Sequence, residues 1–196
     1  MSKTRLEAFT DGVIAILITI MVLELKVPHG ADLHALLALA PVFCSYVLSF
    51  VFLGIYWNNH HHMLHATTHV SGKILWLNLH LLFWLSLVPF TTAWMGENYL
   101  APLPTAVYGA DLLLAAVAYT LLQNAIIADH GPDSKLAKAV GGDRKGKLSA
   151  LIYVTAIPLA FYQPWLSAAL YVLVAVIWFI PDRRIEKELH HHDSAR

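Results

Sequence analysis

Charge is scarce in this chain. Asp, Glu, Lys and Arg make up 13% of its 196 residues, about half the usual share for a soluble domain. Hydrophobic residues make up 58% and the mean hydropathy is +0.58. A water-soluble globule of this size has no core large enough to hide so much apolar surface, and a disordered chain does not carry it at all. The class that remains is an integral membrane protein. An excess of either charge is also lacking, with 13 basic against 13 acidic residues, so no global field points to nucleic acid. One cysteine, Cys44, excludes an intramolecular disulfide. Its apolar surroundings in the sequence predict a small buried hydrophobe. Neither Gly54 nor Gly109 forms a Gly-x-x-x-Gly pair, although either suits a close helix approach. With no internal repeat and no second domain evident, residues 1–196 read as one domain.

Apolar runs are plentiful. A spanning helix needs about 20 mostly apolar residues, and six segments qualify: 6–25, 33–57, 74–95, 103–128, 148–162 and 165–180, the last two short. Gln163 and Pro164 separate the final pair, with Tyr162 and Trp165 as interfacial anchors, which predicts a hairpin rather than one bent helix. The first segment contains Glu7 and Asp11 and is followed by no small-residue cleavage site, so it reads as a retained helix rather than a signal peptide. With six spans, 12 of the 13 basic residues fall on one side and Lys26 alone on the other. The positive-inside rule then places both termini in the cytoplasm of a multi-pass protein. Residues 129–147, rich in Gly and charge, read as a flexible cytoplasmic linker. The polar tail beyond Asp182, with His190, His191 and His192, reads as a solvated end.

Ionisable groups inside spans are costly and are therefore functional candidates. The first segment holds the richest set. At 100° per residue, Arg5, Gly12, Ile16, Thr19 and Leu23 share one helix face, with Ile20 at its edge, while Asp11 points away toward neighbouring helices. An Ile/Thr/Leu stripe fits ordinary bundle packing as well as a specialised wall. Arg5 and Asp11 also lie close enough to the helix start to snorkel or to pair with each other.

The stretch from Arg5 to Leu25, through Phe9-Thr10-Asp11-Gly12 to Leu23-Glu24-Leu25, resembles the opening helix of the transmembrane protein 175 family. These are potassium channels of endolysosomes and their prokaryotic relatives. The family signature has Phe-Ser-Asp; Thr10 keeps the hydroxyl here. Trp57-x-x-His60 closing the second helix, Leu77-Asn78-Leu79 within the third and Val88-Pro89-Phe90 ending it extend the resemblance. It covers the first half of the chain well and the second half by topology only. The resemblance implies an all-α protein with six transmembrane helices per subunit, assembled as a homotetramer in a prokaryotic cell membrane. Helix one of each subunit then lines a central pore that conducts K+ and other monovalent cations passively, with no cofactor. The Thr-Val-Gly-Tyr-Gly carbonyl filter of ordinary potassium channels is absent from this chain. Hydrophobic rings constrict the path instead, at positions matching Ile16, Thr19 and Leu23, with Ile20 adjoining. Arg5, Phe9, Thr10 and Asp11 match the signature cluster, with Trp57, His60 and Asn78 as partners on helices two and three. A narrow Ile ring gates by dewetting. Glu24 either concentrates cations at the outer mouth or is a solvated helix-end charge.

Other residues support rival readings. His62, His65 and His69 have spacings that fit one helical face, with His61 a further candidate ligand beside them, and imidazole suits zinc, copper or iron. A membrane di-iron enzyme is thus the enzymatic alternative, though it needs further clusters and carboxylates. A pH-responsive loop is another use of the same histidines. Asp111 with Asp11 suggests a proton-coupled transporter, which ranks last because repeats and broken helices are not evident. Asp111 reads more simply as neutral or paired within the bundle, and Gln123 and Asn124 as interhelical hydrogen-bonders near the cytoplasmic end.

Overall fold

The computed structural model describes residues 2–179, and all its regular structure there is helical. The helices are α1 (Lys3–Leu23), α2 (Leu33–Leu37), α3 (Ala40–His65), α4 (Gly72–Glu97), α5 (Pro102–His130), α6 (Lys135–Val140), α7 (Arg144–Leu159) and α8 (Pro164–Phe179). Four of them, α1, α3, α4 and α5, are long and apolar enough to cross a membrane. At 16 residues each, α7 and α8 rise about 24 Å. Arg183, Arg184, Lys187, Arg196 and the histidine triplet lie outside the described residues.

Long apolar runs become long helices where capping chemistry starts them. Ser71 caps α4 by accepting from the Ile74 amide. Pro102 opens α5, and Pro41 the first turn of α3, where a fixed φ and a missing N–H cost nothing. The structure corrects the expected 33–57 helix. Asp32 accepts from the Ala35 amide and starts the separate short α2, and the long helix begins only at Ala40. It also continues two turns past Trp57, through the Asn and His run to His65. Asn59 returns its side-chain N–H to the Ile55 carbonyl, and His62 and His65 sit in the last turn.

Pro89 does not end its helix as expected; α4 runs through it to Glu97. The Thr92 hydroxyl donates to the Val88 carbonyl beside the proline, a local side-chain bond of the kind Ser and Thr make within helices. The 129–147 segment is not an unstructured linker either. Ser134 caps α6, whose Leu136 and Ala139 are buried, and Gly141 ends it at φ +53°. Asp143 then caps α7 through the Gly146 amide.

The bundle runs up and down. Lys26 and Glu97 join the end of α1 to the end of α4; His130 at the end of α5 accepts from the Thr68 amide between α3 and α4. α7 and α8 form the expected hairpin, closed at its open end by Trp178 Nε1 donating to Ser149 Oγ at 2.8 Å. One core gathers Ile14, Leu53, Leu64, Leu81 and Leu122 from α1, α3, α4 and α5. A second gathers Phe52, Tyr108, Tyr153 and Tyr171 from α3, α5, α7 and α8. In the second core Gly109 presses against the Tyr171 ring so closely that no Cβ fits, whereas Gly54 has open space around it. Gly96, which the sequence did not single out, meets Val42 and Ser45. Cys44 is exposed on α3, not buried as expected.

Candidate functional site

α1 has two sharply different faces. Leu6, Thr10, Ile14, Leu17 and Met21 recur every three or four residues and are buried against α3 and α4. Opposite them, Ile16 is 58% exposed, Leu23 79% and Ile20 40%, and Gly12 and Thr19 are also exposed. The stripe isolated on the helical wheel is therefore turned away from this subunit's own core. The Thr19 hydroxyl donates to the Ala15 and Ile16 carbonyls at 3.1 and 2.9 Å. Its proton is thus spent within the helix and its oxygen lone pairs are presented outward.

The signature cluster assembles in part. Asn78 Nδ2 donates to Thr10 Oγ1 at 2.9 Å, and Asn78 Oδ1 lies 2.7 Å from His60 Nε2. All three side chains are buried. Because the amide oxygen must accept, His60 carries its proton on Nε2, and its Nδ1 has no partner among the described residues. Beside it, between α1 and α3, Trp57 Nε1 donates to Asp11 Oδ1 at 3.0 Å. Phe9 is 49% exposed and stands outside this network. The Arg5 side chain, also exposed, makes no hydrogen bond or ion pair among the described residues, so the Arg5–Asp11 pair that was one reading of these residues is not formed. Arg5 lies on the outward face of α1 with Gly12 and Ile16, about 120° round the helix from Asp11.

Two further ties were not anticipated. Glu7 lies 3.0 Å from His61 Nδ1, and Lys3 Nζ donates to the His65 carbonyl at 3.2 Å. Together with Asp11–Trp57 they form an antiparallel ladder, each rung four residues along α1 and four residues back along α3. The i,i+4 spacing of Lys3, Glu7 and Asp11, matched by Trp57, His61 and His65, was the available signal.

The histidines are therefore mostly employed as helix contacts. The His61 ring stacks on Trp57 and His65 and meets His62 edge-on, while His69 stacks on His130, away from the others. Among the described residues no group of three or more His, Cys, Asp or Glu is arranged to hold a metal ion.

Asp111 is buried in α5 and accepts from Thr91 Oγ1 at 3.0 Å, the pairing expected of it. Its other oxygen has no partner among the described residues. Gln123 and Asn124 make no side-chain hydrogen bond among the described residues, contrary to expectation: Asn124 faces outward and Gln123 lines a cavity. Glu24 is exposed just past the end of α1.

The chain is similar to several known proteins. The family described as endosomal/lysosomal potassium channel TMEM175 matches residues 5–89, the part of the chain that holds two of the three rungs and the Thr10–Asn78–His60 relay. A potassium channel of Chryseobacterium sp. strain P1-3 is 52% identical over 189 residues, covering 96% of this chain and 98% of that protein. A potassium channel of Streptomyces collinus is 33% identical and covers 89% of this chain and 90% of its own. The crystal structure of a lysosomal potassium-selective channel TMEM175 homologue from Chamaesiphon minutus superposes with a TM-score of 0.79 at 28% identity, over 92% of this chain and 97% of that one. With the exposed stripe and polar network of α1 lying in the matched region, this integral membrane protein belongs to the TMEM175 family.

Proposed function

We propose that this protein is a potassium-preferring cation channel whose pore is walled by α1 from each of four subunits. The relatives named as potassium channels over nearly the whole chain support the ion. The observation that carries the pore assignment is the face of α1 that its own subunit leaves uncovered, Ile16, Thr19, Ile20 and Leu23. A single α1 cannot enclose a path, so several copies must bring these faces together. Four is the number the family resemblance implies.

In this reading α7 and α8 complete six membrane helices, and both termini lie in the cytoplasm beside the basic segments. Rings of Ile16 and Leu23 narrow the path and exclude water when closed. Thr19 oxygens, with their protons directed into the helix, replace part of the cation's hydration shell between them. The ladder from Lys3 to Asp11 and the Thr10–Asn78 bond fix the rotation of α1, so that the stripe and not the Thr10 face meets the axis. Glu24 raises cation concentration at the outer mouth.

The test is purified protein in liposomes under a potassium gradient. Passive K+ flux, exceeding Na+ flux, from a folded oligomer supports the channel. A folded oligomer that passes no monovalent cation overturns it.

A further inference from the structure

Away from α1, a cavity of about 710 Å³ opens between α3, α5, α6 and α7. We propose that it is a lipid site, taking one acyl chain of an anionic phospholipid whose headgroup rests near Lys147. The inference rests on the membrane reading of the chain and is independent of the pore assignment.

The wall is graded along the bundle. Phe52 and Tyr153, both core residues, form its apolar depth, and Asp143 and Lys147 stand at the α6–α7 connection. Val117 and Leu121 of α5 form part of the wall and are 43% and 44% exposed. The opening therefore lies in the apolar belt, where a chain enters from the bilayer without crossing water. The volume falls within the range of ordinary small-molecule sites.

Gln123 indicates that the cavity is made for something polar as well. It is 93% buried, it lines the cavity, and its amide finds no hydrogen bond among the described residues. Its amide opens into the cavity, where a ligand ester or hydroxyl at this level supplies the partner it lacks. Asn59, on the facing wall, spends its N–H on Ile55 and keeps its oxygen for the same purpose. Of the charged side chains only Lys147 and Asp143 line the mouth itself, and the segment around them adds a cationic excess. Residues 129–147 carry Lys135, Lys138, Arg144, Lys145 and Lys147 against Asp129, Asp133 and Asp143. Basic pockets between helices on the cytoplasmic side hold anionic headgroups.

The purified protein is incubated in detergent with palmitoyl-oleoyl phosphatidylglycerol, or with phosphatidylcholine bearing the same chains. Native mass spectrometry then counts lipids per subunit. Retention of about one phosphatidylglycerol per subunit, in preference to phosphatidylcholine, is expected. Thr120→Trp fills the cavity and abolishes retention. Gln123→Leu keeps the volume and weakens retention, and Lys147→Glu lowers the phosphatidylglycerol preference about fivefold. If Thr120→Trp fails to assemble, the other two variants decide. Lipid counts unchanged in Gln123→Leu and Lys147→Glu overturn the proposal, because water or a second copy of the chain then fills the cavity. K+ flux measured on the same preparations separates this outcome from failure of the channel reading.

Discussion

Trp57 donates its indole N–H to the Asp11 carboxylate at 3.0 Å, and this contact is the innermost rung of the ladder that seats α1 on α3. Replacing Trp57 with Phe strips a half-buried carboxylate of its donor. A loss of about 0.5–1.5 kcal/mol is expected, measured as a lowered denaturation midpoint of the assembled protein in detergent. Adding Asp11→Asn recovers part of it, since a neutral amide bears the loss better than a charge. Strict additivity in the double-mutant cycle means that the pair does not interact.

Thr10→Val keeps the shape of the side chain but leaves the buried Asn78 amide without its acceptor. The expected cost is about 1–3 kcal/mol, whereas Thr10→Ser, which retains the hydroxyl, costs less. Equal midpoints for the two variants count against the relay as a structural tie.

Ile16 and Ile14 are two residues apart and face opposite ways, one 58% exposed and the other 2%. Asn at position 16 wets the proposed constriction and raises flux of several cations together, without loss of assembly. Asn at position 14 places an amide in the core and lowers stability by about 2 kcal/mol or more. Liposome flux beside size-exclusion profiles separates the two. An Ile16→Asn protein with wild-type flux moves the narrow point elsewhere on the stripe.

Asp111 tests the transporter alternative. Asp111→Asn still offers Thr91 an acceptor, so K+ flux down its gradient is expected to persist within about twofold. A collapse of flux in a folded oligomer assigns Asp111 to the transport step itself.

Gly109→Ala drives a methyl group into Tyr171, chiefly its hydroxyl, and overpacking of this kind costs about 1–3 kcal/mol. Tyr171→Phe removes the obstructing oxygen at the loss of its bond to the Thr105 carbonyl. The double variant is expected to be more stable than the sum of the two singles. A purely additive pair places the strain elsewhere.

The stripe of α1 was readable in the sequence from helical periodicity, whereas Trp57, His60 and Asn78 as partners of α1 came from the family resemblance. The hairpin of α7 and α8 was readable from Gln163-Pro164. Helix limits were harder, since hydropathy does not register backbone capping. Asp32 starts a helix inside an apolar run, and the polar stretch from Asn58 to His65 stays helical because its side chains find local or α1 partners. Exposure of Cys44 was missed because an apolar run facing lipid or another subunit looks like one facing a core. Glu7 and His61 were not paired because the rung depends on helix register, which no single segment encodes.

The polar ties of α1 are unevenly placed. Its four side-chain bonds to other helices come from Lys3, Glu7, Thr10 and Asp11. Beyond these, the far end is held across helices by apolar packing and by the exposed Lys26–Glu97 pair, a weak tether in water. α1 is thus a lever pinned near one end. Leu23 lies 13 residues beyond Thr10, an arm of about 20 Å. A swing of about 6° about the pin carries its tip about 2 Å sideways, roughly the radius of a methyl group. In the proposed channel, four such arms turning together change the calibre at Leu23 most and at Ile16 less, with no hydrogen bond broken at the pivot.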